Sequence, residues 1–258
     1  METHTREHRS LLAKSERRLL IWIAARLPPW VGSDHLTLLG LLSMPMAGLA
    51  FATLQTSWLN VAGFILALTA NWFGDSLDGT LARVRCQPRP RYGYYVDHVI
   101  DLFGTAALVM GMGASGLMTP AIALAVLAAY FLVSAETFLA THTVGVFRLS
   151  FAGIGPTELR ILLALGAVAI SSHPFAEIGG RQFLLLDVSG AIVTAGLACV
   201  FVVSAIRNTR ALYLAEPIPK LATTEGTEDA EEKSLARSVR FDLHVPGVLR
   251  GGEVRRDR

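Results

Sequence analysis

Six apolar segments fill most of the first 210 residues, and they limit the possible fold more than any other feature of the sequence. They lie near residues 36–54, 57–74, 95–114, 120–141, 158–171 and 184–206. A helix needs roughly 17–25 residues to cross a bilayer core, and only the fifth segment is shorter than that. The chain is 52% hydrophobic and 17% charged, which is more apolar than an ordinary soluble domain. We therefore predict an all-α integral membrane protein with six transmembrane helices.

The N-terminal segment is amphipathic and too charged to cross a membrane. Apolar residues recur at helical spacing between residues 9 and 27, beside Lys14, Glu16, Arg17, Arg18 and Arg26. This pattern is typical of a helix that lies in the membrane interface. Two prolines, Pro28 and Pro29, end the helix. We predict that residues 1–30 form an interfacial amphipathic helix ahead of a six-helix transmembrane domain at 31–212.

The C-terminal segment has a different composition from the rest of the chain. Residues 213–258 are rich in Thr, Glu, Lys and Arg and poor in aromatic residues. Such a segment cannot bury enough apolar surface to fold by itself. We predict a disordered cytoplasmic tail.

Lys and Arg residues predict how the helices are oriented. On one side of the predicted membrane lie Lys14, Arg17, Arg18, Arg26, Arg83, Arg85, Arg89, Arg91, Arg148, Arg160, Arg207 and Arg210. The loops on the other side hold little beyond Arg181. The positive-inside rule then places both termini in the cytoplasm of a multi-pass inner (plasma) membrane protein. A net charge of only +2 gives no broad basic field, so we expect membrane lipids as partners and no nucleic acid.

Four aspartates lie where the second predicted span ends and the third begins. Asp75 and Asp78 are three residues apart and Asp97 and Asp101 are four apart, so each pair shares one face if its segment is helical. Converging carboxylates beside membrane helices repel one another unless cations lie between them. Carboxylate oxygens suit Mg²⁺ or Mn²⁺, whereas a zinc site would use His and Cys. We predict two Mg²⁺ (or Mn²⁺) ions at this site, on the cytoplasmic side of the membrane.

The acids belong to a longer pattern, D-x2-D-G-x2-A-R-x9-G-x3-D-x3-D. It is filled by Asp75, Asp78, Gly79, Ala82, Arg83, Gly93, Asp97 and Asp101. The pattern closely resembles the signature of the CDP-alcohol phosphotransferase family. The resemblance implies an enzyme of phospholipid biosynthesis that moves a substituted phosphate from a CDP-linked donor to an alcohol acceptor and releases CMP.

The resemblance also implies roles for individual residues. All four aspartates would be metal ligands, and Asp101 would in addition be the base that accepts the proton of the attacking hydroxyl. The nucleotide and diphosphate would be bound by Gly79, Ala82, Arg83 and Gly93, with help from Asp34 and Thr37. Acceptor contacts are predicted for Arg148, Glu158, Arg160 and Glu136.

The sequence leaves the substrates open. Arg148 and Arg160 suggest a phosphate on the acceptor, although both could instead anchor helix ends by snorkelling. Thr157 and Glu158 resemble the Thr-Glu pair of choline and ethanolamine phosphotransferases. Glu136, inside the fourth span, would make either a structural hydrogen bond or a substrate contact.

Three functions therefore compete. The first, which we predict for this chain, is a phosphatidyltransferase that uses CDP-diacylglycerol as its donor. The second is an aminoalcohol-type enzyme that uses a soluble CDP-alcohol and a lipid acceptor. The third is a cation-coupled transporter, which would favour acids near the bilayer midplane and broken helices in two related halves. Here the acids lie at helix ends and no repeat is visible, which disfavours the transporter.

Small residues on the membrane helices favour a homodimer.

Overall fold

The computed structural model describes residues 13–144, 155–216 and 218 and is mostly helical. Its helices are α1 (Ala13–Ala24), α2 (Ser33–Ala52), α3 (Trp58–Val84), α4 (Pro90–Ala114), α5 (Pro120–Val144), α6 (Pro156–Ser172) and α7 (Leu185–Ala215). A 3-10 helix, Leu54–Thr56, joins α2 to α3. Of the predicted tail, residues 213–215 still belong to α7, and 217 and 219–258 lie outside the described residues.

Four of the described helices, α2, α4, α5 and α7, are long and apolar enough to cross a membrane. The other two predicted spans correspond to α3 and α6. The apolar part of α3 contains Asn60, Asn71 and Asp75, and α6 has only 17 residues. The prediction of a multi-pass helical protein is therefore confirmed, but the count of six spans is not.

The sequence analysis did not predict one short feature of this mostly helical chain, which lies between α6 and α7. Two antiparallel strands, β1 (Phe175–Ile178) and β2 (Arg181–Leu184), form a hairpin there. Gly179 and Gly180 make the turn with φ of 60° and 75°, a left-handed conformation that glycine adopts without steric cost. The Gly-Gly pair between two apolar, partly alternating stretches was the signal for this hairpin.

Helix α3 is central to the packing, because it lies against α1, α2 and α6, while α4 lies against α2 and α5. One apolar cluster lies around the 3-10 helix, where Phe51 and Phe64 stack edge to face at 5.1 Å. A second cluster lies at the opposite end of α3. There Leu20 and Ala24 of α1 pack against apolar residues of α2 and α3. The amphipathic N-terminal helix therefore covers the end of the bundle that carries the aspartates.

Arg85, immediately after α3, fixes the loop between α1 and α2. Its guanidinium donates to the carbonyl oxygens of Leu27, Pro28 and Val31 at 3.2, 2.9 and 2.5 Å. The chain then turns through Cys86, whose φ is 56°, and α4 begins at Pro90. Helix α3 therefore ends, and the chain reverses, before Asp97.

Candidate metal and nucleotide site

Three carboxylates converge between α3 and α4. Asp75, Asp97 and Asp101 each offer an oxygen that lies within 4.8 Å of the other two. Ligand oxygens around Mg²⁺, with bond lengths of about 2.1 Å, lie up to about 4.2 Å apart, so a small side-chain movement would let one ion contact all three. The donor set consists only of hard oxygen atoms, and it fits Mg²⁺ or Mn²⁺. We call these three residues the acidic cluster.

Asp78, the fourth predicted ligand, is not part of the acidic cluster. Its Oδ2 accepts a hydrogen bond from Thr37 Oγ1 at 2.8 Å, and its Oδ1 accepts one from Gly79 N at 2.5 Å. Ser33 Oγ donates to its backbone carbonyl at 2.8 Å. Asp78 therefore connects α3 to the start of α2, and its role as a ligand stays a prediction.

Arg160 on α6 reaches the acidic cluster. Its Nη2 donates to Asp75 Oδ2 at 2.6 Å, and its Nε donates to Asn71 Oδ1 at 2.8 Å. Asn71 in turn donates to the carbonyl of Gly40 on α2 at 3.1 Å. The remaining nitrogen, Nη1, is buried and has no hydrogen-bond partner among the described residues. A fixed positive charge thus lies beside one of the three carboxylates.

A cleft of about 570 Å³ opens between the start of α2 and the end of α3. Asp34, Ala82 and residues 87–89 are among the residues that line it. Asp34 forms an ion pair with Arg89 across the cleft. Two residues that the sequence assigned to nucleotide binding, Asp34 and Ala82, therefore face one cavity.

The other predicted nucleotide residues are Gly79, Arg83 and Gly93. Among the described residues, a Cβ on Gly79 would meet only Arg83 Nη1, at 3.4 Å, and one on Gly93 would meet no atom within 4 Å. Helix packing therefore does not explain why these positions are glycine. Arg83 Nη2 donates to Thr80 Oγ1 at 3.1 Å, which holds the guanidinium along α3.

The predicted acceptor residues are in different places. Glu158 accepts a hydrogen bond from Gly155 N at 3.0 Å and so caps its own helix. Glu136 on α5 accepts one from Asn208 Nδ2 on α7 at 2.6 Å. Arg148 lies outside the described residues. Arg160, in contrast, donates a hydrogen bond to the acidic cluster.

The sequence analysis missed two residues near the site. Asn71 orients Arg160, and Glu16 on α1 accepts hydrogen bonds from both α3 and α6. In the sequence, Asn71 is a polar residue inside an apolar segment, and Glu16 is an acid on a helix otherwise rich in basic residues. Either signal alone is too common to identify a site.

Fold and site together define a multi-pass membrane protein with an acidic cluster that could hold a divalent metal. A sequence model of the CDP-alcohol phosphatidyltransferase family matches residues 30–207. The chain belongs to this family, as the aspartate pattern predicted, and is a membrane transferase of phospholipid biosynthesis.

One solved structure similar to this chain is phosphatidylinositol phosphate synthase of Mycobacterium tuberculosis with CDP-DAG bound. The TM-score is 0.50 at 21% identity, and the match covers 80% of this chain and 100% of that one. At this identity the similarity concerns the fold alone. A search of curated proteins found no match to the sequence.

Proposed function

We propose that the protein transfers a phosphatidyl group from CDP-diacylglycerol to an alcohol and releases CMP. The observation that carries this proposal is the convergence of Asp75, Asp97 and Asp101 in a chain of the CDP-alcohol phosphatidyltransferase family. The CDP-DAG bound to the similar mycobacterial structure favours a lipid-linked donor over a soluble one.

The acidic cluster and Asp78 would hold two Mg²⁺ or Mn²⁺ ions. When bound, these ions would neutralise the diphosphate and stabilise charge on the transferred group and on the leaving CMP. Asp78 would complete the set of ligands from one turn further along α3. Its hydrogen bonds from Thr37 and Gly79 orient the carboxylate, as partners of ligating carboxylates commonly do.

Asp101 would accept the proton of the acceptor hydroxyl. An alcohol is a poor nucleophile at neutral pH until a positioned carboxylate takes its proton in the transition state. The hydroxyl oxygen would then form a bond to the phosphorus that carries the diacylglycerol, while the bond from that phosphorus to the CMP oxygen breaks. The nucleotide would occupy the cleft beside Asp34 and Ala82, with Gly79 and Gly93 leaving room for it.

Arg160 supports an acceptor that carries a phosphate. Its Nη1 is buried and has no hydrogen-bond partner in the part of the chain that the structure describes, so it can donate to a phosphate oxygen placed beside the acidic cluster. We further propose six spans, with α3 and α6 crossing beside the four longer helices, and a cytoplasmic active site. Basic residues near the aspartate end of the bundle support that orientation.

CMP release by the purified protein tests the proposal. The donors would be CDP-diacylglycerol and soluble CDP-alcohols, each offered with free and phosphorylated alcohols or with diacylglycerol. The proposal expects CMP only with CDP-diacylglycerol, and faster release with a phosphorylated acceptor. Release only from a soluble CDP-alcohol and diacylglycerol would establish the aminoalcohol-type reaction instead. Uptake of a solute into proteoliposomes that is driven by a cation gradient, without CMP release, would establish a transporter.

A further inference from the structure

One carboxylate oxygen of Glu16 joins three helices. Glu16 lies on α1, and its Oε1 accepts hydrogen bonds from Trp72 Nε1 on α3 at 2.8 Å and from Thr157 Oγ1 on α6 at 2.7 Å. These contacts span 56 and 141 residues of sequence. The interfacial helix therefore connects two helices that both reach the acidic cluster.

Both partners of Glu16 are close to that cluster along their own helices. Trp72 precedes Asp75 by three residues, and Thr157 precedes Arg160 by three. Residues three apart on a helix are neighbours on one face. Glu16 thus binds the same faces of α3 and α6 that hold Asp75 and Arg160 together.

Apolar packing contributes little to holding this end of α6 in place. The buried residues of α6 are Ala167 and Ile170, in its second half, and none of residues 156–162 is buried. Leu159 and Leu162 are 50% and 61% exposed. Near the cluster, the contacts that the described residues show between α6 and α3 therefore include polar groups: the hydrogen bonds of Glu16 and those of Arg160.

The contact of Arg160 with Asp75 also affects cation binding. A guanidinium at 2.6 Å from Asp75 Oδ2 competes with a metal ion for that oxygen. Both side chains are largely shielded, at 14% and 24% exposed, so water screens the competition only partly. The position of α6 relative to α3 thus determines how strongly the Asp75 carboxylate attracts a cation.

We propose that Glu16 is a positioning residue that holds α6 against α3, so that Arg160 shares Asp75 with the bound cation and lowers the cluster's affinity for it. This inference rests on the cation site of the proposed function. It also predicts a change in cation affinity that is opposite to the usual one. Removing an acid near a metal site ordinarily weakens cation binding, whereas removing Glu16 should strengthen it, because Arg160 is released from Asp75.

The test is Mn²⁺ binding to the purified full-length protein, with free Mn²⁺ measured by electron paramagnetic resonance. Arg160→Gln should tighten binding roughly tenfold, because it removes a unit charge beside a ligand. Glu16→Ala should tighten it several-fold. The double variant should bind like Arg160→Gln alone, since residues that act through one contact are not additive.

Two further variants separate position from charge. Thr157→Val removes the α6 hydroxyl, keeps the Glu16 charge, and should tighten binding as Glu16→Ala does. Glu16→Gln keeps an oxygen that accepts both hydrogen bonds and should bind Mn²⁺ much as the unaltered protein does. As a control, Asp187→Asn alters a carboxylate that accepts two hydrogen bonds from Thr119, at 2.7 and 2.5 Å, away from the aspartate end of the chain. This variant should leave Mn²⁺ binding unchanged.

Weaker or unchanged Mn²⁺ binding in both Glu16→Ala and Thr157→Val overturns the proposal. The proposal also fails if the effects of Glu16→Ala and Arg160→Gln on Mn²⁺ affinity are fully additive in the double variant. An absence of Mn²⁺ binding in the unaltered protein overturns it as well. The readout does not depend on turnover. CMP release by the unaltered protein without these shifts would reject the role of Glu16 alone. The shifts without CMP release would reject the proposed reaction alone.

Discussion

Gly74 on α3 lies directly against Gly40 on α2. A Cβ on Gly74 would be 2.7 Å from Gly40 N and 2.5 Å from the carbonyl oxygen of Leu36, closer than such atoms can approach. The obstacles are backbone atoms, which cannot rotate away as the end of a side chain can. This contact is one residue before Asp75, so this close approach of the two helices also positions a residue of the acidic cluster.

Gly74→Ala should therefore lower stability. Overpacking at a helix contact typically costs about 1–3 kcal/mol, because the helices must separate to admit the methyl group. The midpoint of thermal unfolding in detergent measures the effect. Gly166→Ala on α6 is the matched control, since a Cβ there would meet no atom of the described residues within 4 Å. Equal midpoints for the two variants would contradict the close approach of α2 and α3.

Gly79 should respond in the opposite way, with stability kept and donor affinity reduced. A Cβ on Gly79 would make only an ordinary contact with Arg83 Nη1 at 3.4 Å, so Gly79→Ala should unfold at the same temperature as the unaltered protein. If the nucleotide approaches the helix backbone here, Ala should raise the Kd for the CDP-linked donor, and Gly79→Val should nearly abolish binding. Calorimetry measures the Kd. Unchanged affinity in Gly79→Val would place the nucleotide elsewhere.

The sequence predicted what depends on short-range spacing. Asp97 and Asp101 share a helix face because they are four residues apart, and membrane-length apolar segments predict the helices that carry them. The sequence did not predict contacts between distant segments. Arg160 and Asp75 are 85 residues apart, and a hydrogen bond between them depends on how α6 packs against α3.

Asp78 shows the same limit in another form. Spacing placed it beside Asp75, but its two side-chain hydrogen bonds come from Thr37 on a different helix and from the next residue, Gly79. The pattern predicts that Asp78 belongs to the site. It could not predict which oxygens are already engaged, because that depends on the position of α2.

Asp78→Asn should abolish CMP release while leaving the protein folded. The amide is nearly the same size, and its oxygen can still accept a hydrogen bond from Thr37 or Gly79, so what is lost is the charge. Without that charge the ligand set holds its cations poorly. CMP release and the thermal midpoint would be measured together, with Asp187→Asn as the control. Full turnover in Asp78→Asn would reject its role as a ligand.

Removal of divalent metal should stop the reaction reversibly. Exhaustive chelation should reduce CMP release to background, because the phosphate charge is then opposed by the acidic cluster itself. Mg²⁺ or Mn²⁺ should restore the rate. Zn²⁺ should restore little, since the cluster offers only carboxylate oxygens. Full activity after chelation would contradict the metal site.

Asp101 should be separable into a binding role and a proton-accepting role. Asp101→Asn keeps the size of the side chain and one oxygen that can contact a metal, but the amide cannot accept the hydroxyl proton. The donor complex should therefore still form, while CMP release falls by roughly 100-fold or more, the usual contribution of a general base. Calorimetry of donor binding, run beside the rate measurement, distinguishes the two roles. Loss of donor binding would mean that Asp101 acts mainly as a ligand, and near-normal turnover would exclude it as the base.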